Sequence, residues 1–144
     1  MATQTIRLVI AALLLLHGLG HFGALAAIAF NWSERGTSTG AWLPARSWVL
    51  PSLSPQAAKV IASTFWVLAG VGFVAAAASF WGIVIPGEAW RMLALASSLV
   101  SLLGIMAFIG TWPAFNTIAA IAVNIAVLVT QLLLHWPPQV MFGK

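Results

Sequence analysis

Leu8-Val9-Ile10-Ala11-Ala12-Leu13-Leu14-Leu15-Leu16-His17-Gly18-Leu19-Gly20-His21-Phe22-Gly23 is an apolar run broken only by two histidines and three glycines. With its flanks it reads as one helix over residues 6–30, opened by Arg7 and closed by the polar string Asn31-Trp32-Ser33-Glu34-Arg35-Gly36. About 25 helical residues at roughly 1.5 Å each reach about 37 Å, enough to cross a bilayer with some tilt. Three more such runs follow, at 55–84, 88–109 and 113–136. The expected fold class is therefore all-α, an integral membrane antiparallel four-helix bundle filling a single transmembrane domain over residues 1–144.

The punctuation between the runs supports these boundaries. Ser54-Pro55 offers an N-cap followed by a proline at the first helical position, where its missing N–H costs nothing. Pro86-Gly87 makes a tight turn, and Glu88 just beyond it suits the positive end of a helix dipole. Gly110, Trp112 and Pro113 mark the third connection, and Pro137-Pro138 stops the last helix. The connector 31–54, with Trp42, Pro44, Arg46, Trp48 and Pro51, is expected to lie in the membrane interface. Trp32, Trp42, Trp48 and Trp112 then form one aromatic girdle, and Trp81, Trp90 and Trp136 the other, on the side of both termini. The N-terminal run superficially resembles a secretory signal ending near Ala24-Leu25-Ala26, but it continues to Phe30 and is read as a retained helix. The expected location is a bacterial cytoplasmic membrane with both termini cytoplasmic.

Composition narrows the function classes. Hydrophobic residues make up 62% of the 144 and charged residues 6%, against roughly 25% charged in an ordinary soluble domain. The net charge of +4 is spread too thinly for a nucleic-acid-binding stripe, so no nucleic-acid partner is expected. The absence of cysteine removes thiol exchange, iron–sulfur ligation and thiolate metal sites. Glu34 and Glu88 are the only acids and are expected on opposite faces of the membrane, which leaves no paired carboxylates and no triad. Neither inverted repeats nor broken helices suggest a transporter.

His17 and His21 are four residues apart, on one helix face and about 6 Å apart along the axis. An ionisable residue at that depth points to function by default, the bland alternative being two imidazoles hydrogen-bonded to neighbouring helices. Thr117, Asn124, Gln131 and His135 form a stripe on helix four, which should face the interior because lipid offers them no hydrogen bonds. Asn124 and His17 each lie about 16 Å into their helices from the connector-side or terminal end appropriate to each, so helix one is expected beside helix four with these two residues meeting. Ser101 is the next candidate by depth. The expected cofactor-binding set is His17, His21, Asn124 and Ser101. Near the terminal side, Arg91, Gln131 and His135 could receive an anionic lipid or quinone head group, although a local Glu88–Arg91 pair is the simpler expectation.

Haem needs ligands on opposite faces of the porphyrin, which an i, i+4 pair on one helix cannot supply to one iron. His135 lies about 18 Å from the depth of His17, too far to complete a bis-histidine site. A metal held by His17 and His21 finds no carboxylate inside any span to complete it.

Arg7 at the start of helix one, His17-Gly18 in its middle, the long first connector, Val71-Gly72-Phe73 in a glycine-rich helix two and the short turn into Trp90-Arg91-Met92-Leu93-Ala94 together resemble the DoxX-like group of small four-helix bacterial membrane proteins. The resemblance covers about residues 6–110. This chain lacks the acidic residue such proteins often carry in helix two, where Phe65, Trp66 or Leu68 stands instead. The resemblance implies an accessory membrane subunit of a quinone-linked or thiol-related oxidoreductase complex.

The expected function is an accessory or ligand-binding integral membrane protein, a subunit of a larger membrane complex or a binder of a quinone, pigment or lipid. The alternative is a small redox protein using His17 or His21 as a haem or metal ligand. Expected partners are the lipid bilayer and other membrane subunits, or further copies of the chain. The even span count predicts both termini on one side and Asn31 to Ser54 on the other; reporter fusions at Gly40 and Lys144 should report opposite sides, and a shared side would refute this topology.

Overall fold

The structure, a computed structural model, describes residues 2–30 and 45–138. Within them the chain forms four helices and no strand: α1 Ala2–Ala29, α2 Pro55–Phe80, α3 Trp90–Ala107 and α4 Ala114–Leu132. All four are long and apolar enough to cross a membrane. The expectations for Trp32, Trp42, Glu34, Arg35 and Gly40 in the connector, and for Lys144, lie outside the described residues.

Several helix ends differ from the sequence reading, each for a local reason. Ser54 caps α2 as expected, accepting from the Ala57 N–H at 3.2 Å with Pro55 in the first turn. The same helix stops at Phe80 instead of Val84, because Gly82 turns left-handed at φ 67°. Gly82 N then donates to Ser79 O at 2.8 Å and Ile83 N to Ala78 O at 2.9 Å, the paired bonds of a Schellman motif. Apolarity continues through Ile83-Val84-Ile85, but hydropathy carries no information about the sign of φ. Glu88 belongs to a 3-10 turn, Gly87–Ala89, that precedes α3. Likewise α4 ends at Leu132, before Trp136, and His135 adopts a left-handed conformation at φ 49°.

The centre of the packing is α2. Its buried Ala58, Ala62, Trp66, Ala69, Phe73, Ala76 and Phe80 recur at three- and four-residue spacings, one continuous helical stripe. One apolar cluster gathers around Trp66, with Ala24, Ala62, Ile105, Phe108, Trp112 and Ala120. A second gathers around Phe73, with Ala11, Leu14, Ala76, Phe80, Trp90 and Ala94. Outside, the helices present Leu13, Leu16, Leu68, Leu103, Ile118 and Ile125, all exposed. Small and polar side chains thus lie inside and large aliphatic ones outside, the reverse of the arrangement that water imposes.

Glycines set the closest helix approaches. A Cβ on Gly18 would stand 2.9 Å from the Gly70 carbonyl oxygen and 3.1 Å from Phe73 Cβ, so α1 and α2 cross with nothing between their backbones. On the other side of α2, a Cβ on Gly104 of α3 would meet Phe65 Cβ and Trp66 Cζ3, each at 2.8 Å. The expected placement of helix one beside helix four needs correction here. Backbone packing runs from α1 to α2, α2 to α3 and α3 to α4, whereas α1 and α4 approach only loosely and meet through side chains.

Gly18→Ala should therefore destabilise the fold by about 1–3 kcal/mol through overpacking. Gly20 has open space around its Cβ position, so Gly20→Ala should be neutral or stabilising by up to about 1 kcal/mol from helix propensity. Unfolding in mixed detergent micelles measures both, and equal effects would show that the crossing is not as close as described.

Candidate functional site: a polar cluster between α1, α3 and α4

The heptad stripe of α4 and the histidine pair of α1 converge on α3. His17 Nε2 lies 3.0 Å from Asn124 Oδ1, Asn124 Nδ2 donates to Ser101 Oγ at 2.7 Å, and Ser101 Oγ lies 3.2 Å from His21 Nε2. The four residues of the expected cofactor-binding set thus form one chain that leaves α1 at His17, crosses α4 and α3, and returns to α1 one turn on. Asn124 and Ser101 are 0% exposed and His21 1%, so water does not serve these groups and each must find its partner in the protein. His17 is only half buried.

Aromatic rings wall the cluster. Phe73 lies parallel to the His21 ring at 6.0 Å and 2°, and Trp66 nearly so at 6.0 Å and 18°. Trp112 tilts against the same ring at 5.3 Å, and His17 meets it edge-on at 5.0 Å. His21 is therefore the joint between the two apolar clusters, one centred on Trp66 and the other on Phe73. No spacing in the sequence marks these walls. Trp112 and Trp90, expected in the interfacial girdles, are both buried, Trp112 against His21 and Trp90 against Phe80 at 5.2 Å. Tryptophan suits an interface or a core equally well, and side-chain direction alone separates them. Trp48 and Trp136 do remain exposed.

The second expected group assembles differently. Arg91 Nε donates to Gln131 Oε1 at 3.0 Å and Arg91 Nη2 to Pro137 O at 3.4 Å, while Gln131 Nε2 donates to Trp136 O at 2.7 Å. Arg91 and Gln131 clasp the segment that follows α4 to the start of α3. The expected Glu88–Arg91 pair gives way to these contacts, with Glu88 exposed on its 3-10 turn before α3. His135 is exposed on the turn beyond α4 and joins neither group. Of the remaining stripe, Thr117 donates back to Pro113 O at 3.2 Å within its own helix start. Near the opposite end of α2, the Arg7 guanidinium stacks 5.2 Å over Trp81, a contact with no spacing signal in the sequence.

What the cluster can do chemically follows from its donor set. It contains two imidazoles, an amide and a hydroxyl, with no carboxylate, thiol or cation among them. Both Nε2 atoms are engaged by side chains, and among the described residues no three His, Cys, Asp or Glu gather as metal ligands. The arrangement suits hydrogen bonding to a neutral group better than ligation of an iron or a metal ion. A groove of about 580 Å³ between α1 and α2, lined by Ile28, Lys59, Val60, Thr64 and Leu68, lies away from the histidines and contributes nothing to this chemistry.

Members of one hydrogen-bonded chain should respond non-additively. His17→Leu and Asn124→Leu each leave a polar partner unserved at a cost of about 1–3 kcal/mol, whereas the double variant removes both ends of the same bond. A coupling of about 0.5–3 kcal/mol is expected in a double-mutant cycle; strictly additive effects would separate the two residues.

Compared with known proteins, the chain matches no family model, no curated protein and no solved structure, and the reading of this site rests on its geometry.

Proposed function

We propose that this chain crosses the membrane four times as an antiparallel bundle and binds a hydrophobic molecule with a neutral polar head, of the quinone, pigment or lipid class, as an accessory component of a larger membrane complex. The observation that carries the reading is the state of His17. Its Nε2 is fixed by Asn124, yet its ring is only half buried and no group among the described residues hydrogen-bonds its Nδ1. The ring itself bridges α1 to α4, two helices that approach each other only loosely. A buried hydrogen-bonded scaffold thus ends in one half-buried imidazole with a hydrogen-bonding atom to spare, the form a site takes when a few polar groups orient an otherwise apolar ligand. The aliphatic exterior supplies the apolar part of the contact. The resemblance to DoxX-like proteins supports the accessory role, and the absence of acids and thiols from the cluster supports binding over catalysis.

Photoreactive decyl-tailed probes with phenol, quinone or methyl ether heads test this in nanodiscs. At least one should give saturable adducts on α1 near His17 and α4 near Asn124, competed by its unreactive parent and reduced several-fold by His17→Phe. Adducts spread evenly over exposed positions such as Leu13, Leu68 and Ile118 for all three heads would refute it.

A further inference from the structure

The hydrogen-bonded chain can be polarised in two directions, and the amide at its centre decides between them. An imidazole with one proton has one donor and one acceptor, an amide has a donor end and an acceptor end, and a hydroxyl has one hydrogen to give. With Asn124 Nδ2 donating to Ser101 Oγ, the rest follows in one sense. Asn124 Oδ1 can only accept, so His17 Nε2 carries hydrogen. Ser101 Oγ, which has no other acceptor in reach among the described residues, then gives its own hydrogen to His21 Nε2, and the proton of His21 resides on Nδ1. Reversing the amide reverses every bond and leaves His21 Nδ1 as a bare lone pair.

The Asn124 amide separates the two cases. Its Nδ2 lies 2.7 Å from Ser101 Oγ and its Oδ1 3.0 Å from His17 Nε2, so the sense in which His17 Nε2 carries the hydrogen is the one the structure holds. His21 Nδ1, at the far end of the chain, is buried and makes no hydrogen bond.

Resting on the ligand-binding reading above, we infer that the cluster is held in one polarity, with His17 protonated on Nε2 and His21 on Nδ1, so that the open Nδ1 of His17 is an acceptor and selects a hydrophobic ligand whose head donates a hydroxyl. A phenol, quinol or alcohol satisfies that atom. A quinone or ester carbonyl of the same size offers it only a second lone pair. The Asn124 amide, buried between α1 and α3, thereby sets the hydrogen-bonding sign of the half-buried His17 ring.

The wild-type chain in nanodiscs, labelled with 15N-histidine and assigned through its backbone, carries the test, because protonated and bare imidazole nitrogens resonate far apart. His17 should show a protonated Nε2 and a bare Nδ1, and His21 the opposite. Titration with 4-decylphenol should shift the His17 Nδ1 resonance and saturate, while 4-decylanisole and decyl-benzoquinone, with similar tails, should bind at least tenfold more weakly. His135→Gln, at an exposed position outside the cluster, should leave this ranking unchanged. Reversed tautomers, or a quinone that binds at His17 as well as the phenol, would overturn the polarity while leaving the binding site standing. If none of the three probes moves the His17 resonances, the selection and the binding reading fall together.

Discussion

Asn124 carries no exposed surface, and an amide sealed from water must be served on both its ends or the fold loses free energy on the order of 1–3 kcal/mol for each unserved group. It is served by His17 on α1 and Ser101 on α3. Those two bonds fix the rotation of α4 about its own axis, since turning the helix by one residue would carry Asn124 through about 100° and away from both partners. Apolar contact imposes this less sharply, because α4 is rich in aliphatic side chains and dispersion contacts have no direction. Polar groups in an apolar interior are few and directional, so they specify where bulk burial only holds.

The small residues make that specificity reachable. Gly18 and Gly70 bring α1 onto α2 at backbone distance, and Gly104 brings α3 against Phe65 and Trp66. With α1 and α3 both drawn close to α2, His21 and Ser101 come within 3.2 Å of each other across it. Alanines complete the same interface at Ala62, Ala69 and Ala76, where longer side chains would hold the helices apart. The rings of Trp66, Phe73 and Trp112 then close over the polar atoms and exclude competing partners.

Much of this was legible in the residue string. Counting depth along two helices paired His17 with Asn124, because rise per residue is nearly invariant and a central polar residue must meet another. The Ser54-Pro55 start was legible for a similar reason, a side chain bonding its own backbone over three residues. The rest needed directions that hydropathy does not hold. Val84 reads as helix by apolarity, yet Gly82 has already reversed the chain. Trp112 reads as interfacial from its place beside a turn, yet its indole points inward onto His21. Arg91 reads as the partner of an acid three residues away, but its guanidinium reaches forty residues on to Gln131, a neutral acceptor in a buried position.

The four helices are not equally bound to one another. Glycine contacts weld α1, α2 and α3 into a unit whose separation would expose closely packed backbone. Towards that unit α4 contributes few buried residues, Ala120, Asn124 and Gln131, and is held chiefly by hydrogen bonds that can exchange for others. Local opening follows the path of least buried surface. Mechanically, α4 is a door leaf, hung on the short connection at Gly110 and Pro113 and latched by an amide at mid-height and by the Arg91–Gln131 clasp at its far edge. His17, half buried, is the frame's side of the mid-height latch.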